Sequence, residues 1–149
     1  MRLTVYTARL PNPKAKIEGY RGPDAFNVTR RGGGAAADPF APSDLLLDAG
    51  LACKRLAKKK SAPGGATEEA RLDFAWAWYR ELYLEEMRAS YRRNRPAWLA
   101  LLGRGRVVLC CWCGTAHRCH RRPLAEVLVL IGKRIRIEVV DGGEMGAGW

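Results

Sequence analysis

The sequence has no apolar run long enough to cross a membrane. Its longest apolar stretch, Leu124 to Ile131, is interrupted by Glu126 and falls far short of the roughly 20 residues a span requires. The opening MRLTVYTARLPNPK lacks the apolar core and small-residue cleavage site of a signal peptide, so a cytoplasmic location and no membrane partner are expected. Neither a Walker A motif nor a GxGxxG turn occurs, which excludes those two phosphate-binding designs only. An even, spaced set of cysteines is also missing. Four of the five crowd into CCWCGTAHRC, unlike the framework of a small secreted disulfide scaffold, so reduced thiols are expected. Apolar residues are not scarce. At 48% hydrophobic over 149 residues there is material for one core and hardly for two, so 1–149 reads as one domain with loops or linkers at 11–23, 31–42 and 61–66.

Lys and Arg number 26 against 15 Asp and Glu, a net charge of +11, and the placement of that excess says more than its size. Residues 1–60 carry 12 basic and 5 acidic side chains, 61–103 carry 6 and 6, and 104–137 carry 8 and 1. Two basic blocks therefore flank a neutral middle. Clustered cations raise the local concentration of phosphate-bearing partners, a nucleic acid or a smaller phosphorylated ligand. Solubility alone is the simpler account of the same excess.

Leu3 to Tyr6 alternates as a strand does, and Asp24 to Arg30 (DAFNVTR) reads as a second short strand. The glycines and prolines of RGGGAAADPFAP mark a mobile loop before Ser43, which caps a helix from about Asp44 to Lys60. The closing KRLAKKK of that helix places cations where the macrodipole favours them. Thr67 caps a long second helix that stops near Asn94, with Leu72, Trp76, Tyr79, Tyr83 and Met87 on one face, widened by Trp78 and Leu82. Such an aromatic stripe is more often core than a base-stacking platform. Pro96 opens a short helix, PAWLALL, closed by Gly103.

The last third reads as a β-α-β unit: strand RVVLCCWC, loop GTAHRCHRR, helix PLAEVLVLIGK and strand RIRIEVV. The continuous apolar run Val107 to Cys113 suits a central strand, and the alternation of Arg134, Arg136 and Glu138 with Ile135, Ile137 and Val139 suits an edge. The fold class expected is α/β, a small, mostly parallel sheet flanked by helices, with the long aromatic-rich helix in the middle of the chain. Ligands of such sheets bind beyond the carboxyl ends of the strands.

There the loop after Cys113 holds His117, Arg118, Cys119, His120, Arg121 and Arg122 before Pro123. A helix start with arginines suits phosphate or carboxylate. Cys119, flanked by Arg118 and His120, is placed where a thiolate would be stabilised, which makes it the candidate nucleophile with His120 or His117 as proton partner. Thr29, Arg30, Cys113, Arg118 and Arg121 are the candidate ligand contacts. No cofactor is required by that reading. A zinc site competes for the same residues: Cys111 and Cys113 share a strand face and, with Cys119 and His120, could supply four ligands. Cys110 and Trp112 face the other side as core, and Cys53 packs against its helix's neighbours.

A strand ending in a cysteine cluster, then the CHR tripeptide Cys119–Arg121, then LAE at a helix start resembles the C-terminal signature of the domain-of-unknown-function 488 family and similar small phage and bacterial proteins. NVTRRGG followed by FAPSDLLL resembles the same group's second strand and following helix, with Asn27 in place of the usual aspartate. The resemblance covers both ends of the chain and leaves the aromatic middle helix aside. It implies a small α/β domain that handles nucleotides or nucleic acid, with Thr29, Arg30, Cys119, His120 and Arg121 lining one crevice. The resulting expectation is a protein that binds a phosphorylated ligand, with cysteine-dependent catalysis as its extension. The rivals are a nonenzymatic DNA- or RNA-binding module and a zinc-stabilised interaction protein.

Overall fold

Four strands and four helices make up the chain in a computed structural model that describes every residue except 13, 15, 60–64, 115, 116 and 147–149. In order they are β1 (Arg2–Arg9), β2 (Ala25–Asn27), α1 (Asp44–Ala57), α2 (Glu68–Arg93), α3 (Arg95–Leu102), β3 (Arg106–Cys111), α4 (Arg121–Ile135) and β4 (Glu138–Glu144). The sheet order is β2-β3-β1-β4 and every pairing is parallel. The chain is thus α/β with a parallel sheet, flanking helices and a long central helix. Among the described residues no helix is long and apolar enough to cross a membrane. The end of the predicted first helix at Lys60 and most of the predicted 61–66 linker lie outside the described residues.

β3 is continuously apolar because both of its faces are covered. Val107 and Leu109 join Leu3 and Val5 of β1 beneath the helices, among Tyr83, Met87, Trp98, Leu124 and Leu128. Val108 and Cys110 point the other way, onto Ala8, Tyr20 and Met145. At about 1.5–3 kcal/mol for each large apolar side chain fully withdrawn from water, the helix-covered cluster is the main source of stability. α2 supplies it with Tyr79, Tyr83 and Met87, and Leu72 continues the same buried stripe, one helical face wide.

Two expectations change. The RGGGAAADPFAP segment is held rather than mobile: Phe40 is 2% exposed and packs edge-on against Trp98 at 4.9 Å. Its carbonyls are satisfied from α2, where Tyr83 Oη donates to Phe40 O at 2.6 Å and Ser90 Oγ donates to Pro39 O. A buried loop needs such outside donors for its backbone, and they come from a helix 43 and 51 residues away. Gly33 belongs to the same fold-back, since a Cβ there would stand 2.3 Å from Ala37 Cβ and 2.6 Å from Asn27 O.

The second change is at the C-terminus. The alternation read as a strand from Arg134 is the end of α4, which runs to Ile135 and closes on Arg136 in the left-handed conformation (φ 61°). Ile137 N then donates back to Gly132 O at 3.0 Å. A short amphipathic turn and an edge strand share a local pattern, and here the left-handed closure decided between them. β4 is therefore displaced toward the C-terminus and ends at Glu144. α4 likewise starts two residues before Pro123, at Arg121, because proline in a first turn forgoes no helix hydrogen bond.

Candidate functional site

The site is assembled beyond the carboxyl ends of β2 and β3. Just past β2, Asn27 folds the chain: its Oδ1 accepts from Thr29 N at 3.0 Å and Thr29 Oγ1 at 2.6 Å, and its Nδ2 donates to Gly32 O at 3.0 Å. An aspartate lacks that last donor, so the amide suits this turn. The turn presents Arg30, which donates through Nε to Pro42 O at 2.7 Å and pairs with Asp38 at 2.8 Å. Ser43 caps α1 through Leu46 N at 3.1 Å and is tied to α2 by Glu86. Gly50 lets α1 approach α2, since a Cβ there would stand 2.5 Å from the Tyr79 ring.

These elements enclose a cavity of about 380 Å³, within the size range of small-molecule sites. Thr29, Arg30, Cys113, Arg118, Cys119 and His120 all line it, six of the residues singled out in the sequence. His117 and Arg121 are not among its lining residues. His117 stands on the surface beside Glu69 and Asp73. The sequence reading missed other lining residues: Arg31 and Lys54 bring charge, and Trp76, Tyr79 and Trp112 bring aromatic walls. Trp112, expected in the core, is 48% exposed. It lies one residue past the end of β3, where strand alternation no longer directs the side chain.

The cavity floor is a thiol cluster. Cys111 Sγ donates to Cys113 Sγ at 3.7 Å, and the ligand atoms of Cys111, Cys119 and His120 all lie within 4.8 Å of one another. His120 Nε2–H donates to Val28 O at 2.9 Å, and its ring rests 5.4 Å from that of Tyr83. Burial holds its pKa below the ordinary histidine value despite that acceptor. Arg121 is 1% exposed. Its Nη2 pairs with Glu144 Oε1 at 2.7 Å, and its Nη1 donates to Cys113 O at 3.2 Å and to Cys119 Sγ at 3.7 Å. Glu144 also accepts from Thr7 Oγ1.

The acidic thiol is not the one expected. Burial pushes Cys119 well above the ordinary thiol value, reinforced by the protons it shares with Cys111 and Cys113. Cys111 is pushed up to about 11, chiefly because it donates to Cys113. Cys113 is lowered by the thiol donors Cys111 and Cys119, with His120 and Arg121 adding to the effect. Adjacency in sequence to Arg118 and His120 marked Cys119, but Arg118 turns away to pair with Glu69 and Asp73 on α2. Cys110, on the opposite face of β3, is pushed up to about 11 by burial and is core, as expected.

Residues 39–132 match the family model DUF488-N3a, described as the active DUF488-N3 subclade. The match spans more than half of the chain, so the chain belongs to that family. The matched range includes α2, which the local motifs had left aside, and takes in the Cys119–Arg121 tripeptide. No curated protein and no solved structure matches the chain.

Proposed function

We propose that the cavity binds a phosphorylated ligand that carries a planar ring: a nucleotide, or the nucleotide end of a nucleic acid. What supports the reading is the division of the lining. Trp76, Tyr79 and Trp112 offer ring faces, and Arg30, Arg31, Lys54 and Arg118 offer positive charge around the same volume. Trp76 and Tyr79 already stack on each other, with ring centroids 5.6 Å apart, and the half-exposed Trp112 is free to stack on a third ring. Base–aromatic stacking contributes about 1–3 kcal/mol per base. The phosphate would be taken by cations at the surface. Arg31 pairs with Asp48 with both side chains about 60% exposed, and such pairs are weak enough for a multiply charged anion to displace. Lys54 has no carboxylate partner among the described residues.

The test is calorimetric titration of mononucleotides and the matching nucleosides into wild type, Lys54→Ala and Trp112→Ala. The expected result is binding that needs both ring and phosphate, weakens in each variant and falls shallowly with salt. Response to oligonucleotides alone, with a steep salt slope, would replace this reading with the nonenzymatic nucleic-acid module. No response to either would remove it.

A further inference from the structure

Three sulfurs and one imidazole converge at the cavity floor, and the ring-binding reading uses none of them. We infer that Cys111, Cys113, Cys119 and His120 form a four-donor site for a thiophilic divalent cation, specifically Zn²⁺. Two thiolates bound tetrahedrally at about 2.3 Å stand roughly 3.8 Å apart. Cys111 Sγ and Cys113 Sγ are 3.7 Å apart. A thiolate and an imidazole nitrogen on the same ion stand roughly 3.6 Å apart, and the ligand atoms of Cys111, Cys119 and His120 lie within 4.8 Å of one another. Cys111, Cys119 and His120 therefore need to move by about an ångström to enclose an ion, and Cys113, in contact with Cys111, supplies the fourth donor by a larger swing from the strand end.

The surroundings are those a metal site requires. Histidine ligands characteristically give their other ring N–H to a carbonyl or carboxylate, which fixes tautomer and orientation. His120 does this through Nε2 to Val28 O, which leaves the lone pair on Nδ1. Zn²⁺ with three thiolates and a neutral imidazole carries one net negative charge, and the buried Arg121 places a guanidinium N–H on Cys119 Sγ. The set is built from two elements, since Cys111 and Cys113 are at the end of β3 and Cys119 and His120 are at the start of α4. An ion there closes the loop between them and fixes the cavity floor. Binding releases the thiol protons to solvent and involves no redox step. Cys53 and Cys110 stand outside the site.

The test is independent of nucleotide binding. Full-length protein is purified under reducing conditions, its metal content is measured, and Co²⁺ is titrated in after chelation. We expect about one Zn²⁺ per chain, a Co²⁺ spectrum with thiolate charge-transfer bands and tetrahedral d–d intensity, and a lower melting temperature after chelation. Cys119→Ser and His120→Ala should each weaken or alter the Co²⁺ bands, and Cys53→Ser should leave them unchanged. Should either ligand variant fail to fold, the wild-type stoichiometry and Co²⁺ spectrum decide alone. Reduced wild type that takes up no stoichiometric Zn²⁺, or Co²⁺ bands lacking thiolate character, overturns the inference. Bands that persist unchanged in well-folded Cys119→Ser and His120→Ala overturn it too. A zinc-loaded protein that ignores nucleotides would sink the proposed function and leave this site standing.

Discussion

Arg118 and Arg121 stand three residues apart in one motif, yet one is at the mouth of the cavity and the other is beneath its floor. Arg118 reaches across to Glu69 and Asp73, whose side chains are more than 60% exposed. Arg121 is sealed against Glu144 behind the thiols. The carboxylates of the first pair are bathed in water and exchangeable, although the Arg118 side chain is itself only 13% exposed. The second is desolvated, and its cation is already spoken for by a carboxylate, a backbone carbonyl and a sulfur. A cation can recruit an anionic ligand only when its present partners are cheap to leave. The mouth satisfies that condition and the floor does not.

The comparison breaks most visibly at Arg121. Arg121→Ala empties a fully buried side-chain site and leaves the one-third-exposed Glu144 without its cation, a loss expected to cost about 1.5–3 kcal/mol, read as a drop in the denaturation midpoint. Arg118→Ala should leave that midpoint unmoved and act on ligand affinity instead. Equal destabilisation by both substitutions would erase the distinction between mouth and floor.

Smaller effects sharpen it. Trp112→Ala should weaken nucleotide binding by the ~1–3 kcal/mol of a lost stacking face, roughly 5- to 150-fold, with stability intact. Lys54→Ala should lose roughly tenfold, the ~1.4 kcal/mol of one charge-assisted contact. Ser43→Ala removes the cap of α1 and the hydroxyl's bond to Glu86 while the backbone N–H bond to Glu86 remains, costing about 0.5–2 kcal/mol. That substitution tests whether the wall formed by α1 is held independently of the floor.

The smallest effect is acid sensitivity at the outer end of the sheet. Burial raises the Asp141 pKa, but Arg122, in contact at 2.9 and 3.2 Å, and Gly143 N–H outweigh it and hold the carboxyl below its ordinary value. A carboxylate lowered on folding adds stability above its unfolded value of about 3.9, and that contribution is lost as pH falls through the folded value. Asp141→Asn should flatten the acid limb of a urea-midpoint profile below about pH 4 and change little at neutral pH.

Much of this was legible locally. The caps at Ser43 and Thr67 held, and the α2 stripe packed as a helical face should. The apolar run of β3 announced a strand covered on both sides. The strand read over Asp24 to Arg30 ends at Asn27, and Asn27, Thr29 and Arg30 form a clamp that the sequence did not show, because the partners Gly32 and Asp38 come from the fold-back. Glu144 carried no signal. It stood in a short acidic tail, and the demand for it arises only once Arg121 is buried and needs a carboxylate. Trp112 was misplaced because strand alternation was extended one residue past the last ladder position.

By itself the sequence determined the α/β class, the order of elements and the strand-to-helix loop that carries the chemistry, since hydrophobic period and capping act over a few residues. Tertiary structure alone decided which cations face solvent and which face carboxylates. It also decided that the acidic thiol is Cys113 rather than Cys119, and that aromatics from α2 and the end of β3 wall one cavity. Each of these depends on desolvation and on partners distant along the chain, 49 residues for Arg118 with Glu69 and 92 for His120 with Val28, and no local pattern encodes either.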